Sequence, residues 1–472
     1  ANFNYITPYS HPLVHGLVIL LIILATLKKW DEAKQTKWLW VIGLFFGLAI
    51  ISKIEIAFTS ISVIGAYFTA YLFDKKNILN KKYLIIIPVA AVLSIISVIL
   101  LLTLKIPLAT AVSGIFHQWI MMFDNRMSLL NTMYYVKHNM GTDNPSGNII
   151  QIIKLGFLYT CLILGIIFIS FLFKKIKKNK LFISIFLALT TFFISKKIVP
   201  DHVWFIITKP LPMIMTIAFG FLIWQKIKNK KMPNNNSSYA VNMASFVFAG
   251  TMLLKIFLNS RITGYGFVLA MPATLLTIII LIDWLPEYLN NYSAGWSFRA
   301  IIIGILMALS FFYIQDSNLL YAYRNFFYYG AGNKNIIRTD QKRGHIIQET
   351  TAKLNSLMGP NDSFTVLPEG LMLNFLLKRK SSTPYLGFMP DLFIRYDEKE
   401  IINSFIKNRP DFIVIIHKKT IEYFLPFFGK DYAVDLNGWI MDNYRTVWQT
   451  KEKPLEPETI FGAAILQYAG QP

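Results

Sequence analysis

The sequence predicts a polytopic α-helical membrane protein of about ten visible spans, followed by a C-terminal α/β domain. Three observations carry this prediction. Apolar blocks of span length follow one another up to Gln315, short lysine clusters separate them, and after Asp316 the pattern changes to alternating strand and helix signals. Composition agrees: 54% of the 472 residues are hydrophobic and 15% are charged, where a soluble chain carries about 25% charged residues.

A span needs about 20 apolar residues. The blocks that qualify, some of them short, are His11–Leu27, Trp38–Ser52, Ile56–Phe73, Tyr83–Leu104, Ile150–Phe173, Leu181–Ile194, Val203–Trp224, Tyr239–Leu258, Gly264–Ile282 and Ala300–Ile314. Read as one helix, Trp38–Phe73 would be roughly 54 Å long, against a hydrocarbon core of about 30 Å. The polar break Ser52-Lys53-Ile54-Glu55 therefore divides it into two spans.

Charge supports that division. With two spans, the clusters at Lys28–Lys37, Lys75–Lys82, Lys174–Lys180 and Lys226–Lys231, with Arg299, share one side, as the positive-inside rule expects of cytoplasmic loops. The long loop Lys105–Asn148, the turns at Lys53–Glu55, Ser195–His202 and Asn259–Thr263, and everything after Gln315 then face the other side. A net charge of +21 in a soluble protein would suggest nucleic acid. Here the basic residues sit between apolar blocks, so no nucleic-acid partner is expected. Cys161, the single cysteine, lies within an apolar block, and no intramolecular disulfide is possible.

The sequence divides into 1–315, the membrane part, and 316–472, the outer domain. In the latter, His345–Leu357, Leu371–Leu377 and Ile401–Lys407 have helical signals, while Phe364–Leu367, Asp411–His417, Tyr444–Gln449 and Phe461–Gln467 read as strands.

No phosphate-cradling Gly-Lys motif, paired-histidine zinc motif or nucleophile elbow is present, and the seven histidines do not cluster at ligand spacing. No cofactor is expected, and no ligand cluster suggests a metal. The candidates are polar residues at the outer ends of spans. Lys53 and Glu55 lie between two apolar helices, as functional groups at membrane depth or as a turn that snorkels to the headgroups. Arg261, with Tyr265, marks another span entrance, either holding a lipid phosphate or anchoring a helix end. Asp201, His202 and Lys209 flank a turn stiffened by Pro200 and Pro210. His117, Asp124 and Arg126 fall in an amphipathic stretch of the long loop, an interfacial anchor or the frame of a site. Glu369 in Leu367-Pro-Glu-Gly370 either contacts a ligand or belongs to ordinary helix capping. Lys154 and Lys255 are in or near spans, with no acid expected to pair with them deep inside.

Several segments together resemble one family. They are Asn4-Tyr-Ile-Thr-Pro-Tyr-Ser10, Gly43-Leu-Phe-Phe-Gly-Leu-Ala-Ile-Ile-Ser-Lys53-Ile-Glu55 and Gly266-Phe-Val-Leu-Ala-Met-Pro272. The last part of the chain adds Val366-Leu-Pro-Glu-Gly-Leu-Met-Leu-Asn-Phe-Leu376, Pro410-Asp-Phe-Ile-Val-Ile415, and Phe428-Gly-Lys-Asp-Tyr432 before Gly438-Trp439. The chain resembles bacterial membrane glycosyltransferases of family 39, related to protein O-mannosyltransferases and the lipid A aminoarabinose transferase. The resemblance implies a GT-C fold in the bacterial inner membrane, with the C-terminal domain extracytoplasmic. It also implies a sugar donor carried on polyprenyl phosphate, used at the outer face. The acceptor, whether protein, lipid or glycan, stays open. In this family the general base is an acidic residue in the first outer loop. The sequence begins at Ala1, near what would be the third or fourth span, so that loop is expected to be missing and the N-terminal part truncated. No residue here is assigned the role of base. Two alternatives are a membrane transporter or lipid flippase with an outer sensor domain, and a non-catalytic envelope assembly scaffold.

Overall fold

The computed structural model describes residues 11–73, 81–123, 134–176, 178–198, 206–228, 239–262, 266–323, 326–329 and 337–470. The chain divides into two compact units, one of Ala1–Met122 and His138–Asn318, the other of Phe123–Lys137 and Leu319–Pro472.

The first unit is helical. Its elements are α1 (His11–Ala33), α2 (Thr36–Ser52), α3 (Ile54–Leu72), α4 (Lys81–Thr103), α5 (Leu108–Met121), α6 (Tyr134–Met140, whose first residues fall to the other unit), α7 (Pro145–Leu172), α8 (Lys180–Ile198), α9 (Leu211–Ile227), α10 (Tyr239–Leu253), α11 (Gly266–Ile279), α12 (Leu285–Asn290) and α13 (Gly295–Tyr323). Each predicted span corresponds to one of these helices. Among the described residues, eight stretches are long and apolar enough to cross a membrane, and α2 and α9 are shorter apolar helices. The surface agrees with that reading. Along α8 no residue is buried, and Phe182, Phe186 and Phe193 all face outward. An apolar face of that extent is stable in hydrocarbon rather than water. The chain is a polytopic helical membrane protein.

Packing explains the glycine-rich segment. Gly43 and Gly47 are one turn apart on α2 and meet α4. A Cβ on Gly43 would lie 2.5 Å from the Ala90 Cβ, and one on Gly47 would lie 2.8 Å from the Ser94 Cβ. Small residues at this spacing let two membrane helices approach closely, where dispersion rather than hydrophobicity holds them. At the far end of α1, Trp30 is buried among Tyr67, Phe68, Tyr71 and Tyr83, and Tyr67 donates to Asp31 at 2.8 Å.

Three predicted elements change. The segment Lys105–Asn148 is not one long loop: it contains α5 and α6. Residues 206–210 form a turn and α9 begins only at Leu211, so Lys209 precedes the helix. The last helix continues past Ile314 to Tyr323, and its residues from Leu319 onward fall to the second unit.

In the second unit, β1 (Phe326–Tyr329) pairs antiparallel with β2 (Ile337–Asp340). The main sheet has the order β3-β4-β6-β5, with β3 (Phe364–Leu367) parallel to β4 (Phe412–Ile416), and β6 (Ala463–Tyr468) antiparallel to both β4 and β5 (Tyr444–Gln449). The sheet is therefore mixed. Alternation sends its side chains to two layers. Phe412, Val414 and Ile465 pack with Ile347 and Leu354 of α14 (Gln341–Leu357) and Leu373 of α15 (Met372–Leu377). Ile413, Ile415 and Leu466 pack with Ile401 and Phe405 of α17 (Glu398–Lys407) and Leu436 of α18 (Val434–Asn443); α16 (Pro390–Arg395) precedes α17. Asp340 and Asp397 cap α14 and α17, each accepting a backbone N–H at 3.0 Å.

The capping expected of Leu367-Pro-Glu-Gly370 does not occur. The Leu367–Pro368 bond is cis, α15 begins later at Met372, and its N-cap is Leu371. Glu369 instead pairs with Lys418 at 3.0 Å.

Candidate functional site at one end of the helical unit

Hydrogen bonds tie several helix ends of the first unit together. Ser52, ending α2, bonds the Pro12 carbonyl in α1 at 3.4 Å. Gln118 and Trp119 of α5 both donate to the Ile50 carbonyl, at 3.3 and 3.2 Å. His117, on the same helix, is exposed and is not brought to either cluster described below.

At this end two charged clusters form. The first joins α3 to the end of α10. Glu55 stands in the opening turn of α3, and Lys255 lies in the 3-10 turn Leu254–Asn259 that continues α10. The Lys255 Nζ lies 2.5 Å from Glu55 Oε1, and the Lys53 Nζ lies 3.9 Å from the same oxygen. Lys255, read as a lysine in or near a span with no acid deep inside, is paired at the helix end: residues far apart in sequence meet because α3 packs along α10. Lys53 and Glu55, read as a snorkelling turn or a functional pair, are held in an ion-pair network.

The second cluster lines a cavity of about 410 Å3 formed by His138, Asp143, Asn144, Asn148, Gln151, Lys209, Asn259 and Arg261. It unites Lys209 and Arg261, which the sequence offered as separate candidates. Lys209 is buried, and its ammonium donates to Asn148 Oδ1 at 3.1 Å. Arg261 donates to Asn139 Oδ1. Burial, then the like charge of Arg261, holds Lys209 below the usual lysine range, with Asp143 acting in the opposite sense. Two cations thus line one half-open cavity, and both are bonded to neutral amide oxygens.

Local chemistry positions each wall. Asn144 caps α7, accepting from the Gly147 N–H at 3.1 Å, and Pro145 occupies the first helical position. Asn148, one turn on, donates to the Gly141 carbonyl at 2.9 Å while accepting from Lys209. Gly141 has φ of +80°, and a Cβ there would lie 2.7 Å from the Leu258 carbonyl carbon, so this close approach to the 3-10 turn requires glycine. Asn259 donates to the His138 carbonyl at 2.8 Å. Thr208 reaches the Ser260 carbonyl at 3.3 Å, and Tyr159 reaches the Ile207 carbonyl at 2.9 Å, which fixes the turn carrying Lys209.

His138 and Asp143, absent from the sequence candidates, form a pair with Nδ1 and Oδ2 2.8 Å apart. The other carboxylate oxygen of Asp143 is buried and makes no hydrogen bond. The arrangement can hold a phosphate-sized anion close to two cations. Asp124, Arg126, Asp201, His202 and Tyr265 lie outside the described residues. Among the described residues, no group of three or more His, Cys, Asp or Glu side chains is placed to hold a metal ion.

No family model, curated protein or solved structure matches this chain. The likeness to family 39 glycosyltransferases rests on the sequence segments quoted above.

Proposed function

We propose that the chain is a glycosyltransferase that moves a sugar from a polyprenyl-phosphate donor to an acceptor hydroxyl at the outer face of the bacterial inner membrane. The observation that carries this reading is the convergence of Lys209 and Arg261 in one cavity, at an end of an apolar helical bundle. A lipid-phosphate donor presents its phosphate at headgroup level while its chain lies in hydrocarbon, so the protein must supply cations there. In the transfer, the acceptor oxygen bonds the anomeric carbon. The bond from that carbon to the phosphate oxygen breaks, and polyprenyl phosphate leaves with the electron pair. The hydroxyl proton passes to a base. Lys209 and Arg261 stabilise the charge that grows on the departing phosphate. The lysine clusters at the opposite helix ends support an outer-face position for the cavity.

The transporter reading gains little from the Glu55–Lys255 pair. The pair lies at helix ends rather than halfway along a span, where a transport pathway needs ionisable groups. The deciding experiment supplies the full chain in proteoliposomes with radiolabelled polyprenyl-phosphate hexose and membrane extract. Wild type is expected to move label to an acceptor, and Lys209→Gln is expected to lose that transfer. Absence of both transfer and donor binding in wild type, or undiminished transfer in Lys209→Gln and Arg261→Gln, would discard the reading.

A further inference from the structure

The second unit holds a cavity that the proposed transfer does not use. Its volume, about 640 Å3, lies within the range of small-molecule sites. It opens where the parallel strands β3 and β4 end: Glu369 and Gly370 follow one, and His417, Lys418 and Lys419 follow the other. The carboxyl ends of parallel strands are where open α/β sheets hold ligands, because the chain leaves the sheet there and its side chains converge.

Three features define the chemistry of the lining. Cations come from separate segments. Arg343 of α14 pairs with Asp340 at 3.5 Å and stacks over the Phe461 ring at 5.5 Å, and Lys418 sits at the rim paired with Glu369 at 3.0 Å. Lys419 is committed to the Pro457 carbonyl. Carboxylates are present too, from Glu369 and Glu458, so the lining suits more than a bare anion. The third feature is His417. It is only 6% exposed, and its Nδ1 accepts the Leu455 N–H at 3.1 Å. That bond leaves the proton of the neutral ring on Nε2, which is buried with no partner. Buried donors are rarely left unbonded.

We propose that this cavity binds a sugar bearing an anionic group, phosphate or carboxylate. The anion sits against Arg343 and Lys418, where charge-assisted hydrogen bonds form. The carboxylates of Glu369 and Glu458 accept from sugar hydroxyls, and the Nε2–H of His417 supplies a further donor. Leu373 and Ile416 offer an apolar wall to the C–H face of the ring. The proposal stands on the second unit alone, so its failure and that of the membrane cavity reading are separable.

The test is isothermal titration of the full chain in detergent with glucose 1-phosphate, glucuronate, glucose and inorganic phosphate. Glucose 1-phosphate or glucuronate is expected to bind about tenfold more tightly than glucose or phosphate. Arg343→Gln and Lys418→Gln are each expected to weaken that binding about tenfold, and Lys418→Arg to restore most of what Lys418→Gln loses. His417→Asn keeps an acceptor for the Leu455 N–H but removes the Nε2 donor, and should weaken binding a few-fold. Arg343 and Lys418 are partly exposed at the rim, so their variants should fold; circular-dichroism melting verifies this, and Arg343→Lys replaces any variant that fails. No saturable binding of either acidic sugar up to roughly 10 mM would overturn the proposal. So would binding that Arg343→Gln and Lys418→Gln leave unchanged. Phosphate binding as tightly as glucose 1-phosphate would overturn the sugar assignment.

Discussion

The Glu55 cluster and the Lys209–Arg261 cavity share one end of the helical unit and one connecting turn, yet they hold charge differently. Around Glu55 a single carboxylate oxygen takes both lysines, at 2.5 and 3.9 Å. In the cavity, the carboxylate of Asp143 is engaged by His138, while Lys209 and Arg261 bond amide oxygens of Asn148 and Asn139. Amide oxygens satisfy a cation's hydrogen bonds without cancelling its charge. The first cluster is a clamp between helices; in the second the two cations donate to neutral amides, and Asp143 acts on Lys209 from within the same cavity. Similar residues at similar depth thus reach opposite ends because of what accepts from them.

The comparison can be broken most directly at the cavity. Replacing both Lys209 and Arg261 by glutamine should lower transfer from the polyprenyl-phosphate donor on the order of 100-fold or more, as loss of transition-state donors does elsewhere. Initial rates in proteoliposomes measure it, and Glu55→Gln should fall far short of that loss. Next in size is Gly141→Ala. Its φ of +80° and the nearby Leu258 backbone predict a destabilisation of about 2 kcal/mol, visible as a lower melting midpoint, with weaker donor binding. A third experiment sharpens the clamp. A double-mutant cycle of Glu55→Gln and Lys255→Met should give a coupling of about 1 kcal/mol, the value being modest because the side chains are 22% and 40% exposed. Absence of coupling would remove the distinction between clamp and cavity.

The smallest effect concerns pH. Lys209 is held below the usual lysine value of 10.5, so it gives up its proton at lower pH than a free lysine. Anion binding needs the protonated form. Donor affinity should therefore decline a few-fold within the alkaline window that lies below the titration of a free lysine. Lys209→Arg, which keeps its charge, should hold the affinity level across that window. A flat wild-type profile would show that Lys209 does not carry the binding.

Much of the membrane unit was legible because a long run of apolar residues between lysine clusters is stable only where hydrocarbon covers it. The polar break at Lys53 marked the change from α2 to α3 where the structure has it. Strands β3 and β5 were legible to the residue, since short β-branched and aromatic runs bounded by turn residues leave little freedom. Pairing across helices was not legible. Lys255 meets Glu55, and Lys209 and Arg261 come to line one cavity, through packing that one sequence does not encode as a pattern. His138 and Asp143 were missed because their segment reads as a loop. A signal was there: Asn144 and Pro145 ahead of an apolar run are a helix start, which places Asp143 at a helix mouth. The cis bond at Leu367–Pro368 had no signal beyond the proline itself, and the capping expectation failed there.

The 3-10 turn Leu254–Asn259 has a mechanical consequence. Lys255 is bolted to α3 near its start, and Asn259 is bolted to the His138 carbonyl at its end. Ile256 between them departs from helical geometry, with φ of −123° and ψ of 22°. The turn is a bracket fastened at both ends and bent in the middle. Arg261 lies just beyond that bracket, so the clamp on α3 and one wall of the cavity hang on the same short turn.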